Sequence, residues 1–153
     1  MTDDALSPQR TINVRPITQE DSPHLWRIRN LDVVRALSNN PDPIPREQHD
    51  NWFSKYYQDP DNHCMVIEVD NVVAGYCRID HGLISIALDP NYHGLGLGTR
   101  LLQETINRVS PAVAKITAEI RRENEISLKL FTKVGFNVIQ STPEKNILEY
   151  SRA

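Results

Sequence analysis

The stretch Leu88–Leu102, LDPNYHGLGLGTRLL, holds three of the chain's six glycines, Gly94, Gly96 and Gly98, at alternate positions. Before it, "GLISIAL" from Gly82 reads as a strand; after it, Leu97, Leu101, Leu102, Ile106 and Val109 recur at helical spacing. The order is strand, glycine loop, helix. A helix start leaves its first N–H groups without intrahelical acceptors and carries about half a positive charge, so this order builds an anion site. Glycine lets a bulky anion reach it. A Walker loop would end in Gly-Lys-Ser/Thr, but Thr99 and Arg100 follow Gly98; a Rossmann fingerprint would read G-x-G-x-x-G near the start of the fold, but the spacing here is G-x-G-x-G in mid-chain. The plain alternative is a tight turn whose glycines only permit close packing.

Outward from the loop the chain reads as one mixed α/β domain. "TINVRPI" alternates Ile12 and Val14 against polar neighbours and suits an edge strand, where Pro16 is tolerated. "TQEDSPHLWRIRN" predicts a helix capped at Thr18, with Leu25, Ile28 and Leu31 on one side, and after the proline-rich "NNPDPIPREQ" a second helix covers "REQHDNWFSKYYQ". "HCMVIEVD" and "VVAGYCRID" predict a hairpin turning at Asp70-Asn71, a register that sets Cys64 directly opposite Cys77. Beyond the loop the helix should stop at Ser110-Pro111. "AKITAEI" then reads as a strand, and "NEISLKLFTKVG" as a helix with Ile126, Leu130, Phe131 and Val134 on one side and Gly135 as its stop. "FNVIQ" and "NILEY" close the fold as strands. Residues 1–10 read as a flexible N-terminal arm and 11–153 as the domain.

The 153 residues are 39% hydrophobic and 24% charged, a globular composition, and a net charge of −3 without a basic cluster argues against nucleic acid as a partner. No apolar run approaches the ~20 residues of a membrane span, and the acidic, polar start lacks the character of a signal peptide, so a cytoplasmic protein is expected. Two cysteines are too few for a disulfide scaffold or a cysteine-rich metal site. Free thiols and no metal are expected.

"ISIALDPNYHGLGLGTRLLQ" resembles the acetyl-CoA motif of the GNAT N-acetyltransferases, a strand and a "Q/R-x-x-G-x-G/A" loop opening a helix, with His93 in the Q/R place. "ITAEIRRENEISLKLFTKVGF" resembles the second signature of that family: a strand, an Asn, then a helix closing with K-x-G-F. The resemblance runs over nearly residues 12 to 150. It implies a single-domain α/β (α+β) fold with a mixed, mostly antiparallel central sheet flanked by helices, and transfer of an acetyl group from acetyl-CoA to a primary amine by direct attack. By the same resemblance His93, Gly94, Leu95, Gly96, Leu97 and Gly98, with the Thr99 hydroxyl, would hold the pyrophosphate. Ile86, Ala87 and Leu88 would pair with the pantetheine arm, the Leu88 N–H would stabilise the oxyanion, and Asn124 would touch the arm from the other side. Glu119 stands five residues before Asn124, where ribosomal-protein N-terminal acetyltransferases carry a glutamate base; the plainer reading is a strand carboxylate paired with Arg121 or Arg122. His81 is a second candidate base, against a turn residue. Seven residues after Asn124 many relatives place a tyrosine thought to protonate the departing thiolate. Here that position is Phe131, an apolar wall of the cofactor site, and Tyr92 and Tyr150 lack the matching spacing.

The acceptor side rests on "HLWRIRNLDVVRALSNN" and "REQHDNWFSKYY", which resemble relatives that acetylate amino-sugar nucleotides in pseudaminic-acid-type pathways. The matching residues are Trp26, Arg29, Asn30, His49, Trp52 and Phe53. The resemblance implies an acceptor pocket of Trp26, Arg29 and Trp52, with His81 nearby, in which Arg29 or Arg35 meets a diphosphate and a tryptophan stacks on a base or sugar. Against this, Trp52 and Phe53 would be core and Arg29 a solvated helix face. The expected activity is acetylation of a small amino-sugar nucleotide. Acetylation of protein or peptide N termini and a non-catalytic acyl-CoA-binding module are the alternatives. A monomer and a homodimer fit the sequence equally.

Overall fold

The computed structural model of the protein describes residues 10–109 and 115–151. The expected arm, but for Arg10, and the Ser110-Pro111 stop lie outside the described residues. Among the described residues, seven strands form one sheet in the order β1-β2-β3-β4-β5-β7-β6. β1 (Ile12–Pro16), β2 (Asn62–Val69), β3 (Val72–Asp80) and β4 (Leu83–Leu88) pair antiparallel in sequence order, β5 (Lys115–Arg121) lies parallel to β4, and β7 (Lys145–Ser151) and β6 (Asn137–Ser141) finish antiparallel. α1 (Ser22–Arg29), α2 (Asp32–Ala36) and α3 (Arg46–Gln58) connect β1 to β2, α4 (Leu97–Arg108) connects β4 to β5, and α5 (Glu125–Val134) connects β5 to β6. This is the mixed, mostly antiparallel α/β sheet implied by the resemblance. The short α2 escaped the periodicity because five residues span little more than one turn.

Helices cover both faces of the sheet, which explains why "CMVI" in β2 is apolar at every position rather than alternating. On one face α4 buries Leu97, Leu101, Leu102 and Ile106 against Met65, Cys77 and Ile79, and Phe131 and Phe136 of the α5 region close that core. On the other face Leu25 and Ile28 of α1 and Phe53 and Tyr56 of α3 pack on Cys64, Val66, Val73 and Tyr76. Ile126, expected on the buried side of its helix, is 65% exposed. It borders the cleft described below.

The hairpin register differs from the sequence expectation. Its pairing slips between Ile67 and Glu68: Val73 faces Glu68 but Gly75 faces Ile67, so Ala74 is an extra residue in β3. A bulge moves every later pair by one and so reverses the face that each side chain meets. Met65 therefore opposes Cys77, Cys64 opposes Arg78, and the two thiols enter different cores. Both are free and buried, and burial pushes the Cys77 thiol up to about 12. Protein kept without reductant from lysis onward should show the same intact mass as reduced protein, whereas a loss of two hydrogens would mean that the sheet separates the cysteines less firmly than this register does.

His49 is fully buried under α1, and its Nε2 lies 3.0 Å from the Ser22 carbonyl, so that nitrogen must carry the hydrogen and donate it. Burial is the main cause that lowers its pKa below the usual 6.5; the Ser22 carbonyl opposes the shift and the Arg29 charge adds to it. Because the folded pKa is lowered, acid protonates the unfolded chain first, and stability contributed by the neutral ring is lost as pH falls below about 6.5. The urea midpoint of the wild type should therefore fall between pH 7 and 5 more steeply than that of His49→Gln. Parallel curves would show that His49 is not the titrating group.

Candidate active site

β4 and β5 start as neighbours and then part. Thr117 N–H donates to the Gly82 carbonyl at 2.9 Å, and among the described residues Leu83 with Thr117 is the single registered pair of these strands. Beyond it a cleft of about 690 Å³ opens, bordered by Ile86, Ala87 and Leu88 on one side and by Ala118 and Glu119 on the other. The turn into β4 sets which backbone groups face it. His81 and Gly82 both have positive φ, the two-residue geometry that pairs Asp80 with Leu83. In such a ladder Leu83, Ser85 and Ala87 exchange hydrogen bonds with β3, and the alternate residues point their N–H and C=O groups away from it, toward the β5 side. Where β5 has departed, the N–H and C=O of Ile86 and the N–H of Leu88 are left for an extended ligand.

The glycine loop follows directly. Gly94 and Gly96 have φ of +77° and +78°, and a side chain on either would meet nothing within 4 Å. They are glycines for their left-handed backbone, in open space. Gly98 is a glycine for a different reason: a Cβ there would come within 3.3 Å of Leu130 Cδ2, so it lets α4 and α5 approach. The close-packing alternative thus holds for one of the three. Gly96 caps α4 without a side-chain hydrogen bond, and no acid stands in the first turn. No acid of that turn offsets its N–H groups and dipole. Thr99 lies there on the cleft wall, and His93 Nε2 donates to the Leu88 carbonyl at 3.2 Å, tying loop to strand.

Glu119 borders the cleft from β5, and its Oε1 accepts from Lys145 Nζ at 2.5 Å. Its partner is this lysine of β7 rather than Arg121 or Arg122. Asn124 caps α5 by accepting from the Ser127 N–H at 3.2 Å, which leaves its NH₂ for a ligand; Phe131 is buried edge-to-face on Phe136 and forms an apolar part of the wall. Arg29 reaches the cleft from the end of α1. Four expected site residues lie elsewhere. Leu95 turns into the main core. Trp26 donates its Nε1 hydrogen to the Ile44 carbonyl at 2.8 Å, and Trp52 stacks on Tyr56 at 5.0 Å as part of the core beneath α1. His81 occupies the β3–β4 turn with φ +49° and pairs with Asp59 at 3.0 Å. Tyr150 packs on Phe136, whereas Tyr92 borders the cleft.

The sequence reading passed over Tyr76, Arg78 and Ser85, which border the same cleft on the α1 face. Nothing local marks them, because β3 brings them there by pairing with β4. Asp89 was also passed over: its carboxylate accepts from Asn91 N–H and from Arg27, while its own N–H donates to the Ala74 carbonyl at 2.8 Å. An Asp-Pro step opening a turn was the available signal. Asp89 fixes where β4 ends and the loop begins. The donor set suits acetyl-CoA: unpaired strand amides for its arm and, for its diphosphate, a helix start whose N–H groups no side chain caps.

The profile of the acetyltransferase (GNAT) family matches residues 25–136. The N-alpha-acetyltransferase RimI of Mycobacterium tuberculosis is 29% identical over 135 residues, 82% of either chain. An N-alpha-acetyltransferase of Sulfurisphaera tokodaii is 27% identical over 137 residues, 75% of this chain and 82% of that one. The fold superposes on yncA of Salmonella typhimurium, solved with its cofactor acetyl-CoA, with a TM-score of 0.82 at 19% identity over 94% and 95% of the two chains. No metal-binding cluster and no helix long and apolar enough to cross a membrane occur among the described residues. With the family profile covering most of the sequence and both signatures falling on the cleft, the chain belongs to the acetyltransferase (GNAT) family and is an N-acetyltransferase whose acetyl donor is acetyl-CoA.

Proposed function

We propose that the acceptor is the α-amino group of a protein or peptide N terminus. The observation that carries this is the similarity to N-alpha-acetyltransferases over four-fifths of their length. The structure adds a reason to prefer it over a sugar nucleotide: the two tryptophans invoked to stack on a base or sugar are engaged in packing and in a backbone hydrogen bond. When bound, acetyl-CoA supplies a thioester whose carbonyl is open to an amine. The Leu97, Gly98 and Thr99 amides at the start of α4 hold its diphosphate, and the backbone of Ile86 pairs with its arm. The Leu88 N–H donates to the carbonyl oxygen as charge develops there. Glu119 takes the proton from the incoming ammonium, directly or through water. Phe131 offers no proton, and a thiolate of ordinary pKa near 8.5 departs without one.

Incubation with acetyl-CoA and either N-terminal peptides or amino-sugar nucleotides, followed by thiol release and by mass of the acceptor, tests the assignment. One acetyl group on the peptide α-amine is expected. Transfer to a sugar nucleotide with none to any peptide would overturn it.

A further inference from the structure

The cleft passes through the sheet: the glycine loop and α5 border it on one face, α1 and the chain after it on the other. On the α1 face the Arg29 guanidinium and the Tyr76 hydroxyl stand, among the described residues, as donors without acceptors. The Arg29 guanidinium is half-buried and lies 5.0 Å from the Trp52 ring, and among the described residues it makes no hydrogen bond or ion pair. Its neighbours are all engaged. Arg27 pairs with Asp89, Arg35 with Asp32, and Arg78 with Asp80. Tyr76 is the second donor. Its ring is buried, it borders the cleft, and its hydroxyl makes no hydrogen bond among the described residues. Burial raises its pKa, so the phenol keeps its hydrogen, and the Arg29 and Arg78 charges act on it from nearby. Tyr76 and Arg78 on β3 face the same side as Ala87 and Ser85, their partners on β4.

A desolvated cation without a counter-ion is costly, and an aromatic face compensates only part of that cost. The diphosphate site at the start of α4 lies on the other face of the sheet and does not supply the missing charge. We propose that Arg29 and Tyr76 form a carboxylate subsite, so that the enzyme prefers acceptors with an acidic group beside the reacting amine, in a peptide an Asp or Glu among the first two residues. Arg29 donates in the plane of the carboxylate and Tyr76 donates a third hydrogen bond. This rests on the peptide reading above for the source of the carboxylate, though not for its chemistry.

The test compares kcat/KM at saturating acetyl-CoA for matched peptides with Asp, Asn or Lys at the first or second position, in the wild type and in Arg29→Gln, Arg29→Lys and Tyr76→Phe. Asp should exceed Asn by about tenfold, the strength of a charge-assisted hydrogen bond, and Lys should be poorest. Arg29→Gln should bring the Asp/Asn ratio near one with little change in the KM for acetyl-CoA, and Arg29→Lys should keep part of the preference. Tyr76→Phe should reduce the ratio severalfold, which keeps the question answerable if Arg29→Gln does not fold. A wild-type ratio near one, or a ratio undiminished by Arg29→Gln and Tyr76→Phe, overturns the subsite while leaving peptide acetylation standing. If no peptide is acetylated, γ-aminobutyrate against butylamine decides. A preference for the acid that depends on Arg29 upholds the subsite and overturns the peptide reading, and equal rates overturn both.

Discussion

Glu119→Gln is expected to lower kcat/KM by about 10²-fold or more while acetyl-CoA binding stays nearly constant. An α-amino group is mostly an ammonium below its pKa of roughly 7.7–8.0, and it must lose a proton before it can attack. Glu119 is the carboxylate that β5 presents to the cleft, across from the β4 edge whose Leu88 N–H is proposed to serve the oxyanion. The structural alternative is that Glu119 exists for its ion pair with Lys145, in which both side chains are about one-third exposed. Such a pair is worth about 0–1 kcal/mol, so on that reading Glu119→Gln and Lys145→Met would cost the same small stability and leave turnover alone. The two readings separate in one experiment. Turnover lost in Glu119→Gln with unchanged unfolding supports the base, and activity within a few-fold of wild type removes it. Since Phe131 cannot donate, the wild-type profile should rise with pH and stay level near pH 9 to 10. A fall there that disappears in Tyr92→Phe would identify the phenol on the cleft wall as an acid.

The parts of this protein legible in the sequence are those set by local chemistry. A strand running into alternate glycines and an amphipathic helix marks an anion site wherever it occurs, and the positive φ of Gly94 and Gly96 is the conformation that such a loop requires. Non-local contacts were hidden. Gly98 looked like its neighbours, yet its constraint is Leu130, brought by another helix. Glu119 appeared to have arginine partners close by in sequence, but Arg121 is taken by Glu123 and Arg122, past the end of β5, donates to the Thr142 carbonyl, while Lys145 reaches Glu119 from the adjacent strand. Cys64 and Cys77 were placed face to face because one extra residue, Ala74, leaves no trace in the apolar pattern of a strand buried on both sides. Trp26 and Trp52 carry no mark of which way an aromatic ring on a half-buried helix turns. The resemblance put them at the acceptor; packing sets Trp52 beneath Arg29 and Trp26 beneath Arg46.

Replacing Gly75 with alanine should destabilise the fold by about 2–3 kcal/mol and lower kcat by at least about tenfold. A Cβ at this position would stand 2.6 Å from Leu88 Cδ1 and 2.7 Å from the Ala87 carbonyl oxygen. The leucine tip can rotate away. The carbonyl cannot, because Ala87 is registered against Tyr76 within the β3–β4 ladder. Relief therefore requires β4 to move away from β3 at its last residues, where the Asp89 N–H donates to the Ala74 carbonyl and Leu88 turns its N–H to the cleft. A shift of even half an ångström there misaims the donor proposed for the oxyanion, so the loss should appear in kcat more than in the KM for acetyl-CoA, whose proposed diphosphate site lies a full loop away. Gly98→Ala provides the contrast: its added methyl meets only the end of the Leu130 side chain, Cδ2 at 3.3 Å and Cδ1 at 3.8 Å, which can give way, and helix propensity gains from the exchange. That variant should stay near wild type in stability. Gly75→Ala with native stability and native kcat would show that β4 tolerates displacement at Leu88, and the assignment of its N–H to the reaction would fall with it.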